Sequence, residues 1–216
     1  MASPKNIVVV CEGESEWTYL QRLNSALAGE PFPEGWVEPP VRFIGRPKKT
    51  GVGKGAFKAV ERELRKEMKQ NPSAEKWAWV DADLYVRDYK ACGTNYRNRA
   101  AGIPPFHFTV FNFEDFLALH LDDEGFGRWV EVMTKAGHFK EPLHWDDYKV
   151  HFEKVIPGYR KGGLPADFVT LASLGNLNRH LPQMPAADLK DLQVERTFAA
   201  SMLKEVSRWY AIPGRT

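Results

Sequence analysis

Ile7-Val8-Val9-Val10-Cys11-Glu12-Gly13-Glu14-Ser15-Glu16 passes within ten residues from a β-branched apolar run to a knot of acids around a glycine. The apolar run, residues 6–11, suits a buried strand. Gly13 permits a tight turn, and Ser15 is placed to cap a helix expected over 16–27, with Trp17, Leu20, Leu23 and Leu27 at helical spacing. Strand, turn and helix in that order form the opening unit of an α/β fold. The same alternation continues outward. A second strand is expected at 41–44, a glycine-rich basic loop at 45–55, and a helix at 56–70 that Asn71-Pro72-Ser73 stops. A third strand follows at 76–80, a polar stretch with a short helix at 84–105, a fourth strand at 106–113, and a helix from 114 to 121. Strands alternating with helices predict a parallel sheet flanked by helices. Beyond 121 only helices are expected, at 129–135, 146–155, 166–181 and 186–210, separated by Gly and Pro.

The chain has 216 residues, which fits one domain, or one domain with a helical extension. Its apolar content of 43% is ordinary for a chain that buries a core. A net charge of +2 identifies no partner, but the lysines and arginines are clustered, and clustering matters more than the total. Cys11 and Cys92 are far apart and form no CxxC pair, so neither a disulfide framework nor a zinc site is indicated. No run reaches the length of a membrane span, and no signal-type apolar segment opens the chain. The expectation is a cytoplasmic protein with no membrane partner.

Three acidic clusters follow predicted strands: Glu12, Glu14 and Glu16 after the first, Asp81 and Asp83 after the third, Glu114 and Asp115 after the fourth. Acids at such places also serve helix N-termini. Three clusters together point further, because the strand C-termini of an open parallel sheet share one edge, where ligands bind. Asp81 and Asp83 are separated by one residue, so an extended backbone turns both to one side. Clustered carboxylates repel, and a divalent cation such as Mg2+ is their natural partner. Metal-assisted chemistry on a phosphate is the expected activity, with Glu114 favoured over Asp115 as the third contribution.

Gly45-Arg46-Pro47-Lys48-Lys49-Thr50-Gly51-Val52-Gly53-Lys54-Gly55 is not a P-loop. Lys54 is followed by Gly55 rather than Ser or Thr, and Lys48 stands where the first glycine belongs. Arg46, Lys48, Lys49 and Lys54 still make an electropositive loop suited to nucleic-acid phosphates. The histidines lack metal-ligand spacing and read as structural, and there is no GxSxG elbow and no GxGxxG fingerprint.

Taken together these residues resemble the TOPRIM domain, the catalytic module shared by topoisomerases, bacterial primases, OLD-family nucleases and related phage-defence proteins. That family carries a glutamate after its first strand and Asp-x-Asp after its third, matched here by Glu12 and Asp81-Ala82-Asp83. A finer resemblance is to RloB-like proteins, a TOPRIM branch linked to restriction and anti-phage loci, which opens with EGxTExxY. Glu12-Gly13-Glu14-Ser15-Glu16-Trp17-Thr18-Tyr19 nearly reproduces that opening. The branch's later motif, Ser-Asn-Pro-x-Phe-Glu followed by an aromatic, leucines and a histidine, is similar to Phe113-Glu114, Phe116, Leu117, Leu119 and His120, with Thr109-Val110-Phe111 in place of Ser-Asn-Pro. A Pro-x-Tyr-x-Lys element is similar to Pro157-Gly158-Tyr159-Arg160-Lys161. Without that likeness Lys161 reads as part of a surface turn.

The resemblance implies a TOPRIM-like Rossmannoid domain over residues 1–125 and a helical extension over 126–216 that contributes to the same site. It implies a nuclease dependent on Mg2+ or Mn2+, acting on DNA or RNA, as the effector of an anti-phage defence system with a partner ATPase. Glu12, Glu16, Asp81, Asp83 and Glu114 would hold metal; Glu12 and Lys161 would act in catalysis. The competing expectation is a non-catalytic subunit that binds nucleic acid or a partner within such a complex. Nucleotidyl transfer, as in primases, is a third reading, and the chain shows no zinc-binding or accessory primase module for it.

Overall fold

The computed structural model describes residues 3–47, 56–81, 106–109, 111–140, 143, 145–156, 159, 163–184 and 197–214. Four strands, β1 (Lys5–Cys11), β2 (Val41–Pro47), β3 (Glu75–Asp81) and β4 (Phe106–Thr109), form one sheet in the order β2-β1-β3-β4. All its pairings are parallel. From Ile7 to Cys11 every residue of β1 is buried, which is what a central parallel strand covered on both faces requires.

Helix α1 (Glu14–Gly29) links β1 to β2, and α2 (Ala56–Gln70) links β2 to β3. The two crossovers run in opposite directions across the sheet, so right-handed connections put the two helices on opposite faces. Gly45 lets α1 lie close. A Cβ there would stand 2.6 Å from Trp17 Cδ1 and 3.2 Å from Leu20 Cδ1. The architecture is α/β with a parallel sheet flanked by helices, compatible with a Rossmann-like fold.

Several boundaries differ from the sequence expectation. Helix α1 starts at Glu14, not Glu16, and its N-cap is Gly13 rather than Ser15. The Glu16 carboxylate reaches back to accept the Gly13 N–H at 3.1 Å, so the cap is supplied from inside the helix. Strand β2 runs on through Pro47 into the stretch expected to be loop. Strand β4 stops at Thr109 instead of Phe113. Phe111 takes φ +60, a left-handed backbone that ends extended structure, and Asn112 caps the short helix α3 (Phe113–Ala118).

Beyond α3 lie α4 (Asp123–Lys135), α5 (Trp145–Phe152), α6 (Leu171–His180) with a 3-10 turn at Leu181–Gln183, and α7 (Phe198–Val206). Helix α6 starts later than residue 166 because Thr170 caps it, accepting the Ser173 N–H at 3.1 Å. The helix expected at 186–210 is described only from residue 197 on, and the short helix expected within 84–105 lies outside the described residues. Among the described residues no helix is long and apolar enough to cross a membrane.

The late helices close over the sheet as part of one continuous core. Residue 125 itself falls within α4. Phe198 stacks flat on Trp79 with ring centroids 3.7 Å apart, and Thr197 bridges to Phe108 beside β4. Two buried polar networks thread this core. In the first, Tyr148 Oη donates to Asp115 Oδ1 at 2.6 Å, and the Trp129 indole N–H donates to Tyr148 at 3.3 Å. His138 Nδ1 accepts the Leu143 N–H at 3.0 Å, so its proton sits on Nε2 and goes to Asp115 Oδ2 at 2.9 Å.

The second network runs from α1 to α6. Ser173 Oγ donates to the Thr170 carbonyl, so it accepts from His120 Nδ1 at 3.3 Å. His120 Nε2 then accepts from Tyr19 Oη at 3.1 Å. Burial lowers the His120 pKa to about 3, so the ring is neutral in the fold.

Candidate functional site

In this sheet the chain leaves β1 toward β2 and then crosses back to β3 on the other side. The switch point therefore lies between β1 and β3, and a crevice opens above their C-terminal ends. Glu12 directly follows β1, and Asp81 ends β3. The Asp81 N–H points to Glu12 Oε2 at 3.4 Å, which ties the two acids to one place on the edge. Thr109, the register partner of Asp81 on β4, donates its hydroxyl to Asp81 Oδ1 at 2.6 Å.

Two more carboxylates join from helix N-termini. Glu16 lies in the first turn of α1 and is only 4% exposed. Burial first, then the negative charges of Glu12 and Glu114, raise its pKa to about 7. Glu114, in the first turn of α3, is buried and accepts the Tyr159 hydroxyl at 3.2 Å. The Tyr159 phenol is itself pushed up, by burial and then by the Glu114 charge. Glu12, Glu16, Asp81 and Glu114 thus lie along one rim, brought there from three separate stretches of chain.

The other acid of the third cluster has a different place. Asp115 is fully buried and committed to His138, Tyr148 and the Asn112 N–H, so it fastens α3 to α5 and to the turn that follows α4, and does not belong to the rim. Asp83, Lys161, Lys48, Lys49 and Lys54 lie outside the described residues. Arg46, at the end of β2, pairs with the nearly buried Glu67 of α2 at 3.4 Å. His107, His120, His138 and His180 are buried in the core. Thr109 and Tyr159 are the two partners that residue-by-residue reading did not single out. Seeing Thr109 requires the register of β3 against β4, and seeing Tyr159 requires knowing that the chain returns over α3.

The donor set is all carboxylate oxygen, which matches hard cations such as Mg2+ or Mn2+. A cation would also relieve the part of the upward shift at Glu16 that comes from the charges of Glu12 and Glu114, burial being its larger cause. Against this, among the described residues no three acidic, histidine or cysteine side chains converge closely enough to form a ready metal-binding group. In comparisons with protein-family models, with curated proteins and with solved structures, nothing matches the chain.

Proposed function

We propose that this protein is a divalent-metal-dependent nuclease of the TOPRIM type, cleaving phosphodiester bonds of DNA or RNA. We further propose that it serves as the effector of an anti-phage defence system with a partner ATPase. The observation that carries the reading is the adjacency of Glu12 and Asp81 at the switch point of a parallel sheet, with Glu16 and Glu114 beside them. A glutamate after β1 and an aspartate ending β3 agree with the order of motifs on which the TOPRIM resemblance rests.

Glu12, Glu16, Asp81, Asp83 and Glu114 would hold Mg2+ or Mn2+, which when bound generates a nucleophile from water and offsets charge on the leaving oxygen. Thr109 and Tyr159 hold Asp81 and Glu114 by hydrogen bonds. Glu12 takes the proton of the attacking water. Lys161 would offset the charge that develops on the phosphoryl oxygens, the role the TOPRIM-type resemblance implies for it. Arg46, Lys48, Lys49 and Lys54 supply sequence-independent contacts to the backbone. The helical extension contributes through Tyr159.

The competing reading is a subunit that binds nucleic acid or a partner without cutting. Incubation of purified protein with plasmid, single-stranded DNA and RNA in Mn2+ separates the two. The nuclease reading expects cleavage that EDTA stops and that Asp81→Ala abolishes. Binding without cleavage under all these conditions would leave the non-catalytic role.

A further inference from the structure

Thr109 is the last residue of β4, 2% exposed, and stands directly across the sheet from Asp81. A buried threonine on a strand has a stiff χ1, so the direction of its hydroxyl is set by the backbone rather than chosen by the side chain. That hydroxyl meets Asp81 Oδ1 at 2.6 Å, within the range of a hydrogen bond to an ionised carboxylate. Asp81 is half-buried at the end of its strand, where a carboxylate otherwise turns about its side-chain bonds. The backbone N–H of Asp81 meanwhile points to Glu12. One residue therefore has its main chain tied to one acid of the rim and its carboxylate tied to a rigid donor on the neighbouring strand.

We propose that Thr109 is a positioning residue: its hydroxyl fixes the Asp81 carboxylate in the orientation that receives a divalent cation at the rim. The assignment rests on the reading of Asp81 as a metal ligand. Hydrogen-bond partners of ligating carboxylates act by orienting the ligand in advance, and their loss commonly costs ten- to a hundredfold in metal affinity. A valine at position 109 keeps the β-branched shape and the strand but has no donor. A serine keeps the donor and loses a methyl group.

The test is direct binding of Mn2+ to metal-free protein by calorimetry, for wild type, Asp81→Asn, Thr109→Val and Thr109→Ser, with urea unfolding of each. The expected result is Mn2+ uptake by wild type that Asp81→Asn removes. Thr109→Val should weaken it by about tenfold or more, and Thr109→Ser should stay within about threefold of wild type. Unfolding midpoints of the two Thr109 variants should remain close together, which a merely structural hydroxyl would not reconcile with divergent Mn2+ affinities. Wild-type Mn2+ affinity in Thr109→Val overturns the assignment and leaves the metal reading standing. No Mn2+ uptake by wild type overturns both. Should Thr109→Val fail to fold, Thr109→Ala carries the same comparison against Thr109→Ser.

Discussion

Acidification should unfold this protein through its core histidines, and His120 sets the scale. Its imidazole is neutral in the fold with a pKa of about 3, against an ordinary value of 6.5. Protonation therefore favours the unfolded chain. The stability contributed by the neutral ring is fully present above pH 6.5 and drains away as the pH falls toward 3. At pH 4 the loss covers two and a half pH units at about 1.4 kcal/mol each, roughly 3 kcal/mol. His107, lowered to about 4 by burial, adds a loss of similar size. Glu16 acts with the opposite sign: its raised pKa means that taking up a proton between about pH 7 and its ordinary 4.5 stabilises the fold. Two protons favouring unfolding and one favouring folding leave a net slope of about 1.4 kcal/mol per pH unit between pH 6 and 4.5. Urea unfolding followed by tryptophan fluorescence at half-unit steps of pH reads this slope. Histidine ring resonances read its cause. A His120 ring that titrates near pH 6.5 in the folded protein would refute the reasoning, whatever the slope.

Other expectations are checked separately. His107→Phe keeps the ring contact with Trp77, 4.6 Å between centroids, and removes a buried Nδ1 with no hydrogen-bond partner among the described residues. It should stabilise by about 1 kcal/mol at neutral pH and by several more at pH 4, measured by urea unfolding at both. Asp115→Ala strands the buried His138 and Tyr148 donors and should cost about 3 kcal/mol or more, lowering the thermal midpoint by roughly 10 °C. Lys161→Ala should slow cleavage about a hundredfold with little change in nucleic-acid affinity, and near-normal cleavage returns Lys161 to a surface turn. Replacing Lys48 and Lys49 by alanine should weaken binding across all sequences and flatten its salt dependence; an unchanged slope assigns the loop to solvent.

The sequence made the strand cores and most of the rim legible, because buried parallel strands read as apolar runs and the acids that matter stand where those runs stop. Glu12 and Asp81 could be named on that ground alone. Their adjacency could not, since it depends on the order β2-β1-β3-β4, which no local pattern encodes. Glu114 and Asp115 show the same limit at smaller scale. Neighbours on a helix point about 100° apart, so one faces the rim and the other the core, and only the packing of α4 and α5 decides which. The early end of β4 was hidden because a phenylalanine carries no signal for the left-handed backbone that Phe111 adopts. Gly13 displaced Ser15 as the cap because Glu16 could reach back to its N–H, a contact between residues three apart that Ser15 merely interrupts.

The bridge from Thr197 to Phe108 and the stack of Phe198 on Trp79 carry a consequence for how the chain leaves the ribosome. Strand β4 is synthesised long before the residues that come to lie along it. Until they arrive, Phe108 lacks the backbone partner that Thr197 supplies and Trp79 lacks the ring that stacks on it, which leaves an open strand edge next to an uncovered aromatic, the arrangement through which nascent chains pair with one another. Residues 197 and 198 therefore act as a closing clasp for the growing protein. Conditions that stall or truncate translation before they emerge should send the chain into aggregates.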